Sequence, residues 1–180
     1  MKSPDQLKIK APETIPSIEE EREKYLQFGK YTSDCPHWLL DKVSKIDNSK
    51  IDDEYVKKVL ESIAEEFDSK KHKTTSTKIL EESRFISVND ILEKRQKSCG
   101  SFATVIASVL RNLKIPTKLI HGRYVQNNPE MRHSWNEVNL GNDEWIPFDI
   151  TRKNFELDEF NKKELEALDW SEYENRIEEL

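Results

Sequence analysis

The sequence predicts an α+β fold in which helices come first, a cysteine-bearing central helix follows, and an antiparallel sheet comes after it. Three observations predict this order: helical apolar spacing before residue 116, strand-like runs from 117 to 151, and no alternation of the two patterns along the chain. Helices and strands that are segregated in this way are typical of α+β proteins. The length of 180 residues suits one domain with helical extensions.

The central helix is predicted to begin at Ser98 and to end near Lys114. Its apolar residues keep the three-and-four spacing of one broad helical face, which favours a buried position. They are Phe102, Ala103, Val105, Ile106, Ala107, Val109, Leu110 and Leu113. Ser98 is a suitable N-cap, and Pro116 disfavours helical geometry at Ile115. Cys99 would then lie in the first turn, where backbone N–H groups and the helix dipole stabilise a thiolate.

Shorter helical patterns precede the central helix. Ser17 and Glu20 have the spacing of a capping box, and they open a helix that is expected to run to Phe28. A clearly amphipathic helix is predicted over 52–67, and residues 74–83 suit another short helix. The helix over 52–67 carries on one face Tyr55, Val56, Val59, Leu60, Ile63 and Phe67.

Two further helical patterns flank the central helix and the sheet. Ser87 and Asp90 have N-capping spacing, and Ile91 and Leu92 would be the buried pair of the short helix that they open. After the sheet, residues 158–180 return to helical spacing. We therefore expect helices both before and after the strands along the chain.

Three strand-like runs follow the central helix, over 117–125, 133–140 and 144–151. The residues between the last two runs, 141–143, are glycine, asparagine and aspartate, which are typical of hairpin turns. The sequence therefore predicts an antiparallel hairpin centred near Gly141.

The predicted hairpin brings two chemically useful residues together. His133 and Asp149 are equally distant from Gly141, so the hairpin would place them opposite or nearly opposite each other. A carboxylate beside an imidazole fixes the tautomer of the ring and stabilises the imidazolium. If the sheet packs against the start of the central helix, Cys99, His133 and Asp149 would be nucleophile, base and orienting group. Each also has an ordinary structural role open to it: a packed cysteine, a backbone-bonded histidine and a turn cap.

Composition excludes several classes of function. The net charge is −6 and 36% of residues are charged, without a basic stripe, so nucleic acid is not an expected partner. No apolar run approaches the roughly 18 residues of a membrane helix, and no signal peptide is visible, so we expect a cytoplasmic protein without a membrane partner. Four glycines cannot build a glycine-rich phosphate loop. Two cysteines are too few for a disulfide scaffold, so we expect reduced thiols.

Four stretches of the chain carry a recognisable pattern. They are Cys99–Ala103, Leu110–Lys118, His133–Val138 and Trp145–Thr151. Together they resemble the transglutaminase-like superfamily, whose fold is a distant variant of the papain-like one. The superfamily includes transglutaminases, peptide N-glycanases and many microbial proteins. The resemblance covers Cys99 to Thr151, and the first 85 residues match no family pattern.

The resemblance implies that Cys99 is a nucleophile, His133 a base and Asp149 the group that orients it, with no cofactor. It implies acyl transfer at an amide of a protein or peptide substrate. We expect hydrolysis rather than crosslinking, because crosslinking needs an amine site that excludes water. Deglycosylation stays open, as does the oligomeric state. The family often has glycine where this chain has Lys97, and Gln96 cannot be assigned as an oxyanion donor.

The resemblance also divides the chain into four expected parts. These are a flexible N-terminal segment over 1–16, a helical N-terminal part of the domain over 17–85, a transglutaminase-like catalytic core over 86–155 and C-terminal helices over 156–180.

Two other functions compete with the enzyme. The chain could be a catalytically silent binding or scaffold module that has kept the fold, because fold alone does not secure activity. A metal site could use Cys35, His37, His121 and His133, but Cys-x-His is not a usual zinc spacing. Cys35 and His37 are instead expected in a structured turn that is packed by Trp38.

Overall fold

The computed structural model describes residues 17–29, 32–33, 35–68, 87–94, 97–124, 132–151 and 165–167. In chain order these ranges contain α1 (Ile18–Lys24), α2 (His37–Val43), α3 (Asp53–Asp68), α4 (Val88–Lys94), α5 (Cys99–Asn112), β1 (Thr117–Tyr124), β2 (Arg132–Val138), β3 (Ile146–Phe148) and β4 (Leu165–Ala167). The strands form one antiparallel sheet in the order β3-β2-β1-β4. The predicted α+β fold is confirmed. Among the described residues, no helix has the length and apolar character of a membrane span.

Helix α5 is fixed at both ends by its own sequence. Ser98 Oγ accepts a hydrogen bond from the Ser101 N–H at 3.1 Å, which satisfies one donor of the first turn. At the other end, Lys114 adopts a φ of 64°, and the Ile115 N–H donates to the Leu110 carbonyl at 2.9 Å. This is the hydrogen bond of a Schellman ending. The predicted start and end of the central helix are therefore confirmed.

One apolar cluster joins α3 and α5. Its members are almost completely excluded from water, and they include Val56, Val59, Leu60 and Ile63 of α3 and Val105, Ile106, Val109 and Leu110 of α5. The ring of Phe67 also meets the ring of Phe102 edge-on, at 4.4 Å between centroids. In α4 the buried pair is Val88 and Ile91, whereas Leu92, predicted to be buried, is only partly so. Close packing of this kind makes α5 a rigid support for the residues at its start.

Strand β2 connects the sheet to α5. The side-chain amide of Asn136 donates to the Ala103 carbonyl in α5 at 3.0 Å and to the Lys118 carbonyl in β1 at 3.2 Å. Side chains alternate along a strand, so Ser134 shares this face with Asn136, whereas His133 belongs to the other face. Strand β2 thus supplies residues to both sides of the sheet.

The chain after α1 is tied to α5 and to the start of β1. The buried Arg111 side chain donates to the carbonyls of Thr117 and Gln27, and the Thr117 N–H donates to the Tyr25 carbonyl at 3.1 Å. Helix α1 has the predicted capping box but ends well before Phe28, the predicted end. The carbonyls of Tyr25 and Gln27 accept hydrogen bonds from Thr117 and Arg111, and these contacts replace further turns of the helix.

Two elements differ from the sequence prediction. His37, expected in a turn, opens α2. The C-terminal part, expected to be helical over 156–180, contains the strand Leu165–Ala167, which pairs with Gly122–Tyr124 of β1. The edge of β1 offers backbone groups that a strand can pair, and this tertiary contact overrides the weak helical spacing of a short segment. The rest of that part, and the helix predicted over 74–83, lie outside the described residues.

Candidate active site

Cys99 is the first residue of α5, directly after the N-cap Ser98. Its side chain is partly exposed and forms no disulfide. The first N–H groups of an α-helix have no acceptor inside the helix, and the macrodipole is positive at this end. The backbone N–H groups of Ser134 and Gly100 both lower the pKa of Cys99 and so favour its thiolate. Cys99 therefore lies where the sequence predicts, and β2 adds a donor to its surroundings.

His133 lies in β2 with its ring buried beside Cys99. His133 Nε2 is 2.6 Å from Asp149 Oδ2, and both side chains are almost fully buried. This is a short, charge-assisted hydrogen bond. Since Nε2 is engaged with Asp149, Nδ1 is the ring nitrogen left for the hydrogen bond with the Cys99 sulfur. The ring of Trp135 stacks beside the imidazole, with 6.4 Å between centroids.

Asp149 uses both of its carboxylate oxygens. Oδ2 bonds to His133, whereas Oδ1 accepts hydrogen bonds from the Thr151 N–H at 2.9 Å and from the Thr151 hydroxyl at 2.7 Å. Asp149 is thus both a turn cap and the partner of the imidazole. The sequence left open whether Asp149 bonds to the imidazole or caps a turn, and its contacts include both.

Opposing effects set the charges of the three groups. Burial lowers the pKa of His133, but hydrogen bonds with Asp149 and Cys99 and their negative charges raise it to about 9. Burial raises the pKa of Asp149, yet its hydrogen bonds with His133 and Thr151 keep it below the ordinary value. Burial also raises the pKa of Cys99, but His133 and the backbone N–H groups lower it further than burial raises it. The directions of the three pKa shifts all favour a thiolate and an imidazolium beside a carboxylate.

The hairpin register differs from the predicted one. Strand β3 pairs Phe148 with Asn136, so the same register places Asp149 beside Trp135 rather than beside His133. The difference is an even number of residues, and it leaves the side chains on the same face. His133 and Asp149 therefore meet as diagonal neighbours, which a carboxylate and an imidazole can bridge.

The other candidate metal ligands are not part of this cluster. His121 is directly opposite Ser134 in the β1–β2 pair, and its Nδ1 lies 2.7 Å from Ser134 Oγ. Burial lowers the pKa of His121 to about 4, so its ring is neutral at physiological pH. Cys35 packs against the apolar core, and His37 is exposed. Within the described ranges, no group of three or more His, Cys, Asp or Glu residues could hold a metal ion.

Ser134 and Thr151 contact the site without having been predicted from the sequence as site residues. Thr151 follows Asp149 by two residues, and aspartate side chains commonly bond to backbone groups at that spacing, so a local signal was available. Ser134 acts through its backbone N–H, and its contact with Cys99 depends on how β2 meets α5. No pattern in the sequence near Ser134 predicts its contact with Cys99.

Solved structures of two other proteins resemble this chain in fold. The chain is similar to a candidate cysteine protease from Cytophaga hutchinsonii, with a TM-score of 0.57 and 21% identity over 82% of this chain and 45% of that one. It is also similar to the periplasmic domain of TgpA from Pseudomonas aeruginosa bound to ethylmercury, with a TM-score of 0.49 and 19% identity over 74% and 49% of the two chains. The chain spans less than half of each of these proteins. Identities at this level show the fold alone.

Sequence comparison identifies the family. No curated protein sequence matches the chain. A model of the Transglutaminase-like superfamily matches residues 40–150, which is more than half of the chain and includes α3, α5 and the strands that carry the site. This chain therefore belongs to the transglutaminase-like superfamily.

Proposed function

We propose that this protein is a cysteine-dependent acyl-transfer enzyme that hydrolyses an amide bond of a protein or peptide. The observation that carries this proposal is the 2.6 Å hydrogen bond between His133 and Asp149, together with the mutual effect of His133 and Cys99 on each other's pKa. These residues supply a nucleophile, a proton-transfer group and a group that orients it. All three residues lie within the region that matches the superfamily.

Acylation begins when the Cys99 thiolate attacks the carbonyl carbon of the amide. A carbon–sulfur bond forms, and the carbonyl electron pair moves onto the oxygen. The His133 imidazolium then donates its Nδ1 proton to the amide nitrogen, the carbon–nitrogen bond breaks and the amine leaves. Asp149 keeps its charge throughout and holds the Nε2–H of the ring. The products are a thioester on Cys99 and a free amine.

Deacylation returns the site to its starting state. The now neutral His133 takes a proton from water at Nδ1 as the water oxygen attacks the thioester carbon. The carbon–sulfur bond breaks, the acid product leaves, and the thiolate–imidazolium pair is restored. The partial exposure of Cys99 supports hydrolysis over crosslinking, because water can reach the thioester.

The start of α5 supports stabilisation of the oxyanion. The Cys99 N–H belongs to the first turn of the helix, where N–H groups have no intrahelical acceptor. A substrate carbonyl attacked by Cys99 would carry its developing negative charge near this donor and near the positive end of the helix dipole.

The proposal is tested with the two cysteines of the chain. Cys99→Ala should abolish release of ammonia and of new amino termini from a library of peptides with main-chain and side-chain amides. Cys35→Ala is the matched control, because Cys35 packs against the core away from the triad, and it should keep the activity. Incubation of the wild type with a substrate should add the mass of the acyl group to Cys99, and brief treatment with hydroxylamine should remove it. Equal turnover by wild type and Cys99→Ala would contradict the mechanism.

The same library separates hydrolysis from amine transfer. A fluorescent primary amine that becomes attached to the peptides faster than acid product forms would assign crosslinking chemistry to the site. A wild-type protein that forms no thioester and releases no product from any peptide would favour the silent binding module.

A further inference from the structure

A second histidine, which is partly buried, lies next to the triad without taking part in the proposed chemistry. His121 of β1 faces Ser134 directly across the strand pair, on the face that packs against α5. Its Nδ1 is 2.7 Å from Ser134 Oγ. The Ser134 side chain is itself buried. A buried polar pair at such a position is maintained only when its hydrogen bond is made, because either group alone would carry a desolvation cost.

Ser134 connects this pair to the nucleophile. Its backbone N–H acts on the Cys99 thiol and lowers the pKa of that thiol. Its hydroxyl lies against the first turn of α5, where a Cβ added at Gly100 would be 3.8 Å from Ser134 Oγ. The hydroxyl therefore has His121 on one side and the helix start on the other. Any change in how Ser134 is held shifts a donor that acts directly on Cys99.

The end of strand β3 explains why this donor needs support. Strand β3 pairs with Asn136–Val138 of β2, and its last residue, Phe148, lies opposite Asn136. At Ser134 the β2 backbone has passed the end of β3, so among the described strands only β1 pairs with it there. One edge of β2 therefore has no strand ladder to fix the backbone near Cys99. A side-chain anchor at this residue supplies the missing constraint.

We propose that His121 is a positioning residue that holds Ser134 so that its backbone N–H stays directed at Cys99 Sγ. The role rests on the proposed function only in that Cys99 acts as a thiolate. Because burial keeps the His121 ring neutral, the ring can pair with a hydroxyl without placing a positive charge beside the first turn of α5. The ring is thus suited to hold Ser134 in place and is not suited to transfer protons at neutral pH.

The test measures the pH dependence of Cys99 alkylation by iodoacetamide in a Cys35→Ala background. His121→Leu removes the hydrogen bond and fills the space of the ring with an apolar side chain. Ser134→Ala removes the hydroxyl partner of the same hydrogen bond. In each variant the pKa of Cys99 should rise, and the alkylation rate below the wild-type midpoint should fall about threefold to tenfold, as expected for weakening one hydrogen bond to a charged group. The double variant should show no more than the larger single effect. His121→Asn, which keeps a polar atom near the position of Nδ1, should restore the wild-type profile.

Asn136→Ala is the matched control. Asn136 also joins β2 to α5, but its hydrogen bond goes to the Ala103 carbonyl, about one turn beyond Cys99, so its loss removes a β2–α5 contact and leaves the His121–Ser134 hydrogen bond in place. It has no contact with Cys99 among its hydrogen bonds, so the variant should unfold at a lower temperature yet keep the alkylation profile. A shift in Asn136→Ala as large as that in His121→Leu would overturn the positioning role.

The comparison with His133→Ala separates this inference from the proposed function. If His133→Ala raises the pKa of Cys99 but Ser134→Ala and His121→Leu leave it unchanged, the role of His121 is wrong and the triad stands. If none of the three changes the pKa, both are wrong. Should His121→Leu fail to fold, the Ser134→Ala profile decides alone, and an unchanged profile overturns the inference.

Discussion

The two faces of the β1–β2 strand pair each carry a histidine that is largely shielded from water, and the pKa values of the two rings are shifted in opposite directions. The pKa of His133 is raised to about 9, whereas the pKa of His121 is lowered to about 4. The two are neighbours in the sheet, because His121 is opposite Ser134, the residue that directly follows His133. Burial lowers the pKa of both rings, so depth in the protein does not explain the difference.

The difference lies in the partner that each ring meets. His133 bonds to the Asp149 carboxylate and to the Cys99 sulfur, and both carry negative charge in the ionised site. His121 bonds to the uncharged hydroxyl of Ser134. A nearby opposite charge outweighs desolvation on one face, and nothing offsets desolvation on the other. The sheet thus separates a charged histidine suited to proton transfer from a neutral one suited to positioning.

The largest expected effect comes from Asp149→Asn, which should shift the pKa of His133 toward that of His121. Without the carboxylate only Cys99 opposes the burial cost, so the pKa of His133 should fall well below about 9. Under the proposed function, kcat/KM should fall about 10³- to 10⁴-fold. A ¹⁵N-histidine NMR titration and the turnover assay measure the two effects. The exposed Asp143→Asn in the same hairpin is the control, and a His133 pKa that stays near 9 in Asp149→Asn would contradict the role of the carboxylate.

A smaller effect should appear in the pH profile of turnover. The pKa of His133 lies at about 9, so the imidazolium that donates to the leaving amine is present below that pH and is lost as the pH rises through it. Above about pH 9, kcat/KM should therefore fall by about tenfold for each further pH step of one. On the acid side it should fall once Cys99 is protonated. Circular dichroism across the same range separates this fall from unfolding, and a rate that keeps rising past pH 10 would exclude His133 as the proton donor.

Thr151→Val should have a smaller effect, because it removes one hydrogen bond that stabilises the Asp149 carboxylate and keeps the carboxylate itself. The variant loses the hydroxyl donor at 2.7 Å from Asp149 Oδ1 but keeps the backbone donor at 2.9 Å. The pKa of Asp149 should rise, and kcat/KM should fall about tenfold or less, the value of one hydrogen bond to a charged group. Thr151→Ser keeps the hydroxyl and serves as the control. A loss as large as that of Asp149→Asn would mean that Thr151 does more than support the carboxylate.

The smallest expected effect concerns His121, whose ring should not titrate near neutral pH. His121 should show constant ring ¹⁵N shifts from about pH 5 to about pH 8, because its pKa lies at about 4. The His121→Asn variant assigns its signals. A titration midpoint near neutral pH would mean that the two faces of the strand pair do not differ as described.

The features that the sequence predicted well are encoded over a few neighbouring residues. Helix α5 follows from its apolar period, the Ser98 cap and Pro116, and the face of α3 follows from its period alone. The encounter of His133 with Asp149 could be predicted because both belong to one hairpin. The pairing is shifted from a hairpin centred on Gly141, but the two residues remain nearly opposite and share one face, as predicted.

The features that the sequence could not predict depend on contacts between distant segments. The pairing of His121 with Ser134 is set by the β1–β2 register, and the donation from Ser134 to Cys99 by the packing of β2 on α5. Strand β4 forms on the edge of β1 in a segment whose local spacing is helical. Local propensity is weak in all these places, and tertiary contacts decide the outcome.

The ionisation of Cys99 tests the central claim most directly. The measurement is the alkylation rate of Cys99 against pH in a Cys35→Ala background, with and without His133→Ala. An ordinary thiol has a pKa of about 8.5, and the thiolate–imidazolium pair predicts a lower pKa for Cys99. This pKa should rise in His133→Ala, because burial raises it and His133 no longer lowers it. A normal pKa that does not respond to His133→Ala would contradict the assembled triad.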